Sequence, residues 1–284
     1  MKFNLSSLAV TSLAFSLTST LFSAVAQAAN LVGVYGNSCA VCSFNLSTIN
    51  NFYNSGLIVD GQPVTSNILT GTLDTNNLSN VNLLWLVQPA NSYTSNEITS
   101  LSTFLSGGGR IAFLGEHGTI APNENNRISS AITALGGNIS INNILVDSGF
   151  RNATRLNEQI LDNPLTQGVN TYNYAAFAPL NISGSAIALM RGQENPSNVM
   201  MAYQNVGAGS IFAITDQNVW DNVRQTSTND NARLFTNLLG ASTGAPPVPG
   251  NPTSVPEPFT IVGTLIGATV AFRTRQRLKA TNKL

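Results

Sequence analysis

Between residues 30 and 240 the chain alternates short apolar runs with amphipathic stretches. Leu31-Val32-Gly33-Val34-Tyr35 reads as a buried first strand, 46–53 as a short helix and 57–59 as a second short strand. A polar linker at 74–80 leads into Val81-Asn82-Leu83-Leu84-Trp85-Leu86-Val87, which ends at Gln88-Pro89. A near-continuous apolar run of that length predicts a central parallel strand covered on both faces. The next segment is the clearest helix. Thr94 or Ser95 can cap it, Glu97 sits in the first turn, and Ile98, Leu101, Phe104 and Leu105 recur at helical spacing. Gly107-Gly108-Gly109 stops it, and 110–115 predicts another buried strand. A further helix is expected over 125–135, ended by Gly136-Gly137, and a strand over 139–146.

Beyond residue 150 the pattern changes. The stretch 154–169 reads as loop, and strands are expected at 172–177, 186–191, 199–204 and 210–215. Residues 205–209 form a hairpin turn between the last two, and a closing helix spans about 229–239. Alternating strands and helices followed by antiparallel strands predict an α/β fold. The expected form is a doubly wound sheet with helices on both faces and an antiparallel C-terminal part.

The two ends have a different character. Met1-Lys2, an apolar stretch over 8–25 and Ala26-Gln27-Ala28 have the order of a secretory signal peptide, so 1–28 is expected to be removed by signal peptidase. Residues 29–240 then form one α/β domain, and 241–254 is a Pro/Gly-rich linker. Residues 255–284 contain Pro256-Glu257-Pro258, an apolar run over 259–272, and a basic cluster of Arg273, Arg275, Arg277 and Lys279.

That order resembles the PEP-CTERM sorting signal of bacterial exported proteins. The resemblance implies that the run at 259–272 is a transmembrane helix holding the chain transiently in the membrane. It implies too that exosortase, a membrane transpeptidase, recognises Pro256, Glu257 and Pro258 and passes the protein to the cell surface or extracellular matrix.

Composition sharpens this picture. The chain has 13 basic and 13 acidic residues, but six of the basic ones lie in the leader and the tail. The body keeps seven arginines and no lysine against twelve acidic residues, a net charge near −5. An acidic body argues against nucleic acid as a partner. Charged residues make up only 9% of the chain, so Asn, Ser and Thr must supply its surface polarity, as in many secreted and matrix proteins.

The body also resembles the class I glutamine amidotransferase-like folds. The resemblance rests on the helix–glycine–strand unit from Phe104 through Gly107-Gly108-Gly109 to Gly115, on Asp162-Asn163-Pro164-Leu165, and on Gly209 through Asp216. Those enzymes carry a nucleophilic cysteine on the elbow after the strand that ends near Leu114. Here that elbow reads Gly115-Glu116-His117-Gly118, with no thiol, and His117 is the single histidine.

Candidate chemistry is therefore sparse. Glu116 and His117 follow a central strand and Asp216 follows another, at the rim where open α/β sheets bind ligands. Together they offer an acid, a base or part of a metal set. The plainer reading makes Glu116 a cap and His117 a polar turn residue. Trp220, in a polar context, is a candidate surface platform for a sugar ring, whereas Trp85 belongs to the core. Cys39 and Cys42 allow a local disulfide, a redox pair, half of a metal site or two free thiols, with the disulfide expected in an exported chain. No metal and no cofactor are expected. The leading expectation is a non-catalytic binding or structural component of the exopolysaccharide layer. The alternative is a hydrolase using Glu116, His117 and Asp216.

Overall fold

The computed structural model describes residues 30–38, 44–221, 223 and 228–240. In chain order it contains β1 (Asn30–Gly36), α1 (Leu46–Tyr53), β2 (Ile58–Val59), β3 (Gln62–Ile68), β4 (Val81–Val87), α2 (Ser95–Ser106), β5 (Arg110–Leu114) and α3 (Pro122–Ala134). There follow β6 (Ile139–Ile141), β7 (Arg151–Thr154), β8 (Thr171–Tyr174), β9 (Leu180–Ile182), β10 (Ile187–Arg191), β11 (Val199–Val206), β12 (Gly209–Ile214) and α4 (Asn231–Asn237). The main sheet has the order β2-β3-β1-β4-β5-β12-β11-β9-β6, with β10 also paired to β11. Strands β3, β1, β4, β5 and β12 are mutually parallel. The pairs β12–β11, β11–β9 and β9–β6 are antiparallel. The result is a mixed α/β architecture built on a large sheet.

Every residue of β4 is buried, because both faces of the sheet are covered. Successive side chains of a strand point to opposite faces. Leu83, Trp85 and Val87 enter one core with Ile49 and Phe52 of α1 and Leu234 and Phe235 of α4. Leu84 and Leu86 enter the other with Leu101 and Leu105 of α2 and Ile128 and Ile132 of α3. In the first core Phe52, Trp85, Trp220 and Phe235 pack together, with Trp220 and Phe235 stacked at 4.1 Å between ring centroids.

Local chemistry sets the helix boundaries. Thr94 Oγ1 accepts the Glu97 amide at 3.3 Å while Glu97 Oε2 accepts the Thr94 amide at 2.9 Å, a capping box for α2. Its stop is the left-handed Gly108, φ +90°, one residue past the cap. Helix α3 begins three residues before the expected start, because Pro122 suits the first helical turn. Arg110 is fully buried, and its guanidinium donates to the carbonyls of Leu238 (2.7 Å) and Gly240 (3.2 Å), holding the end of α4 against the sheet.

The stretch 154–169 is loop-rich as expected, with a 3₁₀ turn at Pro164–Thr166. Two expectations are corrected here. The strand expected over 139–146 stops at Ile141, and Val146 makes only an isolated bridge to Phe177. The transmembrane helix is the second: among the described residues no helix is long and apolar enough to cross a membrane. The run 259–272 lies outside those residues. The signal peptide, Cys39, Cys42, the linker and the sorting residues Pro256, Glu257, Pro258, Arg273, Arg275 and Arg277 also lie outside the described residues.

Candidate functional site

Strands β5 and β12 pair in parallel with Leu114 opposite Ile214. Glu116 and Asp216 each stand two residues beyond that pair, so register alone brings them to the same rim. Both are buried, Glu116 at 1% exposure and Asp216 at 0%.

Their carboxylates face inward onto backbone amides. Glu116 Oε1 accepts the His117 amide at 2.8 Å and Oε2 accepts the Gln217 amide at 3.2 Å. Asp216 Oδ1 accepts the Asn218 amide at 2.8 Å, capping the 3₁₀ turn Gln217–Trp220, and Oδ2 accepts the Ala175 amide at 2.7 Å. Asn125, fully buried in the first turn of α3, brackets the same elbow. Its Oδ1 accepts the Glu116 amide at 3.1 Å, and its Nδ2 donates to the Glu116 carbonyl at 2.6 Å and to Asn143 Oδ1 at 3.0 Å. Sequence reasoning placed Asn125 only at a helix start. Its periodicity carries no sign of this cross-link, because an Asn on the inner face of a helix is an ordinary break in an apolar stripe.

Burial dominates the electrostatics. It raises the Glu116 carboxyl to about 7, against the lowering effect of the His117 and Gln217 amides, and nearby Asp221 adds to the rise. Asp216 is raised well above the usual carboxylate range by burial first and then by the charge of Glu116, despite its two amide donors. Two buried carboxyl groups that repel each other do not both ionise readily. His117 is half-buried, and burial lowers its pKa. Its Nε2 stands 3.8 Å from Glu116 Oε1, and Thr119 Oγ1 lies 2.8 Å from its Nδ1.

The structure thus brings Glu116, His117 and Asp216 to one rim, but with both carboxylates turned into the protein. At 1% exposure the Glu116 carboxyl is shielded from any substrate in solution. Among the described residues no group of three or more His, Cys, Asp or Glu side chains is placed to hold a metal ion.

Trp220 does not stand where its polar neighbours implied. It is 1% exposed and packed on Phe235, which corrects the expectation of a surface sugar platform. The polarity around it is turn chemistry: Asp216 caps the turn, and Asn218 Nδ2 donates to Asp221 Oδ2 at 2.8 Å.

No family model matches the chain, and no curated protein matches it. Among solved structures it is similar to the mmIFT52 N-terminal domain, with a TM-score of 0.55 at 16% identity over 72% of this chain and 93% of that one. It is also similar to two proteins of Salmonella typhimurium at 9% identity. Cytoplasmic Protein STM1381 from strain LT2 gives a TM-score of 0.51 over 74% of this chain and 98% of that one. Cytoplasmic Protein STM3548 gives 0.50, over 74% and 97%. At these identities the likeness is one of fold.

Proposed function

We propose that this chain is an exported surface or matrix protein, a non-catalytic binding or structural component of the extracellular polysaccharide layer. The observation that carries the non-catalytic part is the inward commitment of Glu116. Both its oxygens hold backbone amides, and the elbow it occupies has no nucleophile. An enzyme of the amidotransferase kind would need a thiol there, with its base free to reach it.

The finer fold reading belongs to the same proposal. The parallel order β3-β1-β4-β5-β12, flanked by helices packed into two cores, supports a doubly wound sheet of the flavodoxin or glutamine amidotransferase kind. We read it as a diverged member of that architecture whose elbow has become a structural clamp.

Export and sorting rest on the leader ending at Ala28 and on Pro256-Glu257-Pro258 with Arg273, Arg275 and Arg277. Signal peptidase and exosortase are the processing partners this reading requires, and exopolysaccharide is the binding partner. Fractionation of producing cells, with the intact mass of the surface-released chain, tests it. A chain retained whole in the cytoplasm overturns it.

A further inference from the structure

A cleft of about 530 Å³ opens at the carboxyl ends of β1, β3 and β4, and Glu116 is not among the residues that line it. Its walls include Tyr35 near the end of β1 and Asn37 just after it, and Asn91, Ser92, Tyr93 and Glu97 at the start of α2. Topology explains the cleft. Strand β1 pairs with β3 on one side and β4 on the other. The chain leaves β1 through α1 toward β3, and leaves β4 through α2 toward β5. Helices α1 and α2 feed opposite cores, so the winding reverses between β1 and β4. Open α/β sheets leave a crevice at such a reversal, and ligands bind there.

Details of the cleft mark it as more than a by-product of topology. The Tyr93 ring lines it, and the Tyr93 hydroxyl is buried with no hydrogen-bond partner. Burial pushes that phenol far up, and neighbouring Tyr35 and Glu97 add to the shift. Gln88, immediately before Pro89 of the wall, adopts a left-handed φ of +37°, and its Nε2 is likewise buried and unpartnered. Unpartnered buried polar groups are costly, and strain of this kind concentrates at functional sites. Gly36, also in the wall, has φ +136°, and a Cβ there would fall 1.8 Å from the Val87 carbonyl oxygen. Only glycine lets β1 close on β4 at this point.

The lining selects the ligand's chemistry. Among the described residues no Lys, Arg or His lines the cleft, and Glu97 places a carboxylate in it. The start of α2 is closed to anions as well, because Glu97 accepts the Thr94 amide and Thr94 Oγ1 accepts the Glu97 amide. A phosphate or an acidic sugar therefore finds no partner. What remains is two phenol rings with the Asn91 amide, the Ser92 hydroxyl and the Asn37 side-chain oxygen, since Asn37 Nδ2 already donates to the Gln88 carbonyl at 2.9 Å. Tyr35 is fixed by donating its hydroxyl to the Gly71 carbonyl at 2.9 Å. Rings to stack on, neutral donors and acceptors, and a volume in the range of ligand sites suit a flat polyhydroxylated molecule.

We propose that this switch-point cleft binds a short neutral saccharide, an inference that rests on the polysaccharide-binding reading above and gives it a site. The test is calorimetric titration of the purified chain with maltose, cellobiose and diacetylchitobiose, with glucuronate and inorganic phosphate as charged probes. At least one neutral disaccharide is expected to bind, and neither charged probe. Tyr93→Leu removes one of the two stacking rings, so it should weaken binding tenfold or more, with the circular dichroism spectrum unchanged. Asn91→Ala, at an exposed position, should weaken binding without unfolding anything. The proposal is overturned if no neutral disaccharide binds, if a charged probe binds instead, or if affinity is unchanged in both variants. In that last case polysaccharide binding stands and only its location fails. Conversely, Tyr93-dependent disaccharide binding by a chain that ignores the polysaccharide layer upholds the cleft and defeats the matrix role.

Discussion

Glu116 Oε2 accepts the backbone amide of Gln217 at 3.2 Å, so one buried carboxyl ties the turn after β5 to the turn after β12. Across 101 residues of sequence this contact joins two neighbouring strands at their carboxyl ends. It makes the elbow a clamp, and its consequences are measurable.

The first is a pH dependence of stability. Glu116 titrates at about 7 in the fold against an ordinary 4.5, so the folded state prefers the protonated form. Stability from this group is fully present below pH 4.5 and is lost as pH rises toward 7. A shift of that size corresponds to a loss on the order of 3 kcal/mol. Asp216, also raised, contributes in the same direction. His117, lowered by burial, has the opposite sign: its contribution is present above pH 6.5 and is lost on acidification. Denaturant unfolding at pH 5 and pH 8 should show a less stable protein at pH 8. Glu116→Gln should reduce the slope between them without abolishing it, because Asp216 remains. A flat profile in the unsubstituted chain would refute this account.

Trp220→Ala should cost about 3–5 kcal/mol, since it removes the centre of the cluster formed with Phe52, Trp85 and Phe235. A chemical denaturation midpoint that barely moves would mean that Trp220 is exposed after all.

Replacing Pro256, Glu257 and Pro258 together with Ala should leave the chain cell-associated and unprocessed. Intact mass decides the matter: a released protein that still carries Arg273 and the residues after it contradicts exosortase sorting.

His117→Ala should change stability only modestly, because the ring is half-buried and its Nδ1 contact is with the exposed Thr119. Calorimetry with zinc or manganese should show no binding in either form. Micromolar binding that disappears with His117 would revive a hydrolytic site.

The parts of this fold that were legible in the sequence are those where pattern and burial coincide. The all-apolar β4, the helix α2 with Thr94 and Glu97, and β5 behind three glycines needed no tertiary information. Strand β3, Gln62-Pro63-Val64-Thr65-Ser66-Asn67-Ile68, was missed because only Val64 and Ser66 are buried and a proline sits within it. Without β3 the strand order was open, and with it the reversal beside β1 that creates the cleft. Tyr35 and Tyr93 were therefore invisible as candidates, one lying in a strand and the other in a loop. The elbow pair fared better. Glu116 and Asp216 each follow a strand of the α/β pattern, which puts both at the rim, but the direction their carboxylates face depends on side-chain packing that no periodicity encodes. Trp220 misled for the converse reason, since polar residues that cap a turn look in sequence like polar residues that face water.

The central claim is that the chain binds the polysaccharide layer without acting on it. Co-sedimentation of the purified protein with the extracellular polysaccharide of the producing cells tests this most directly. The account predicts that the protein pellets with the polymer, that polymer length is unchanged, and that Glu116→Gln pellets equally. Protein left in the supernatant, or a polymer shortened by the unsubstituted chain and not by Glu116→Gln, would contradict it.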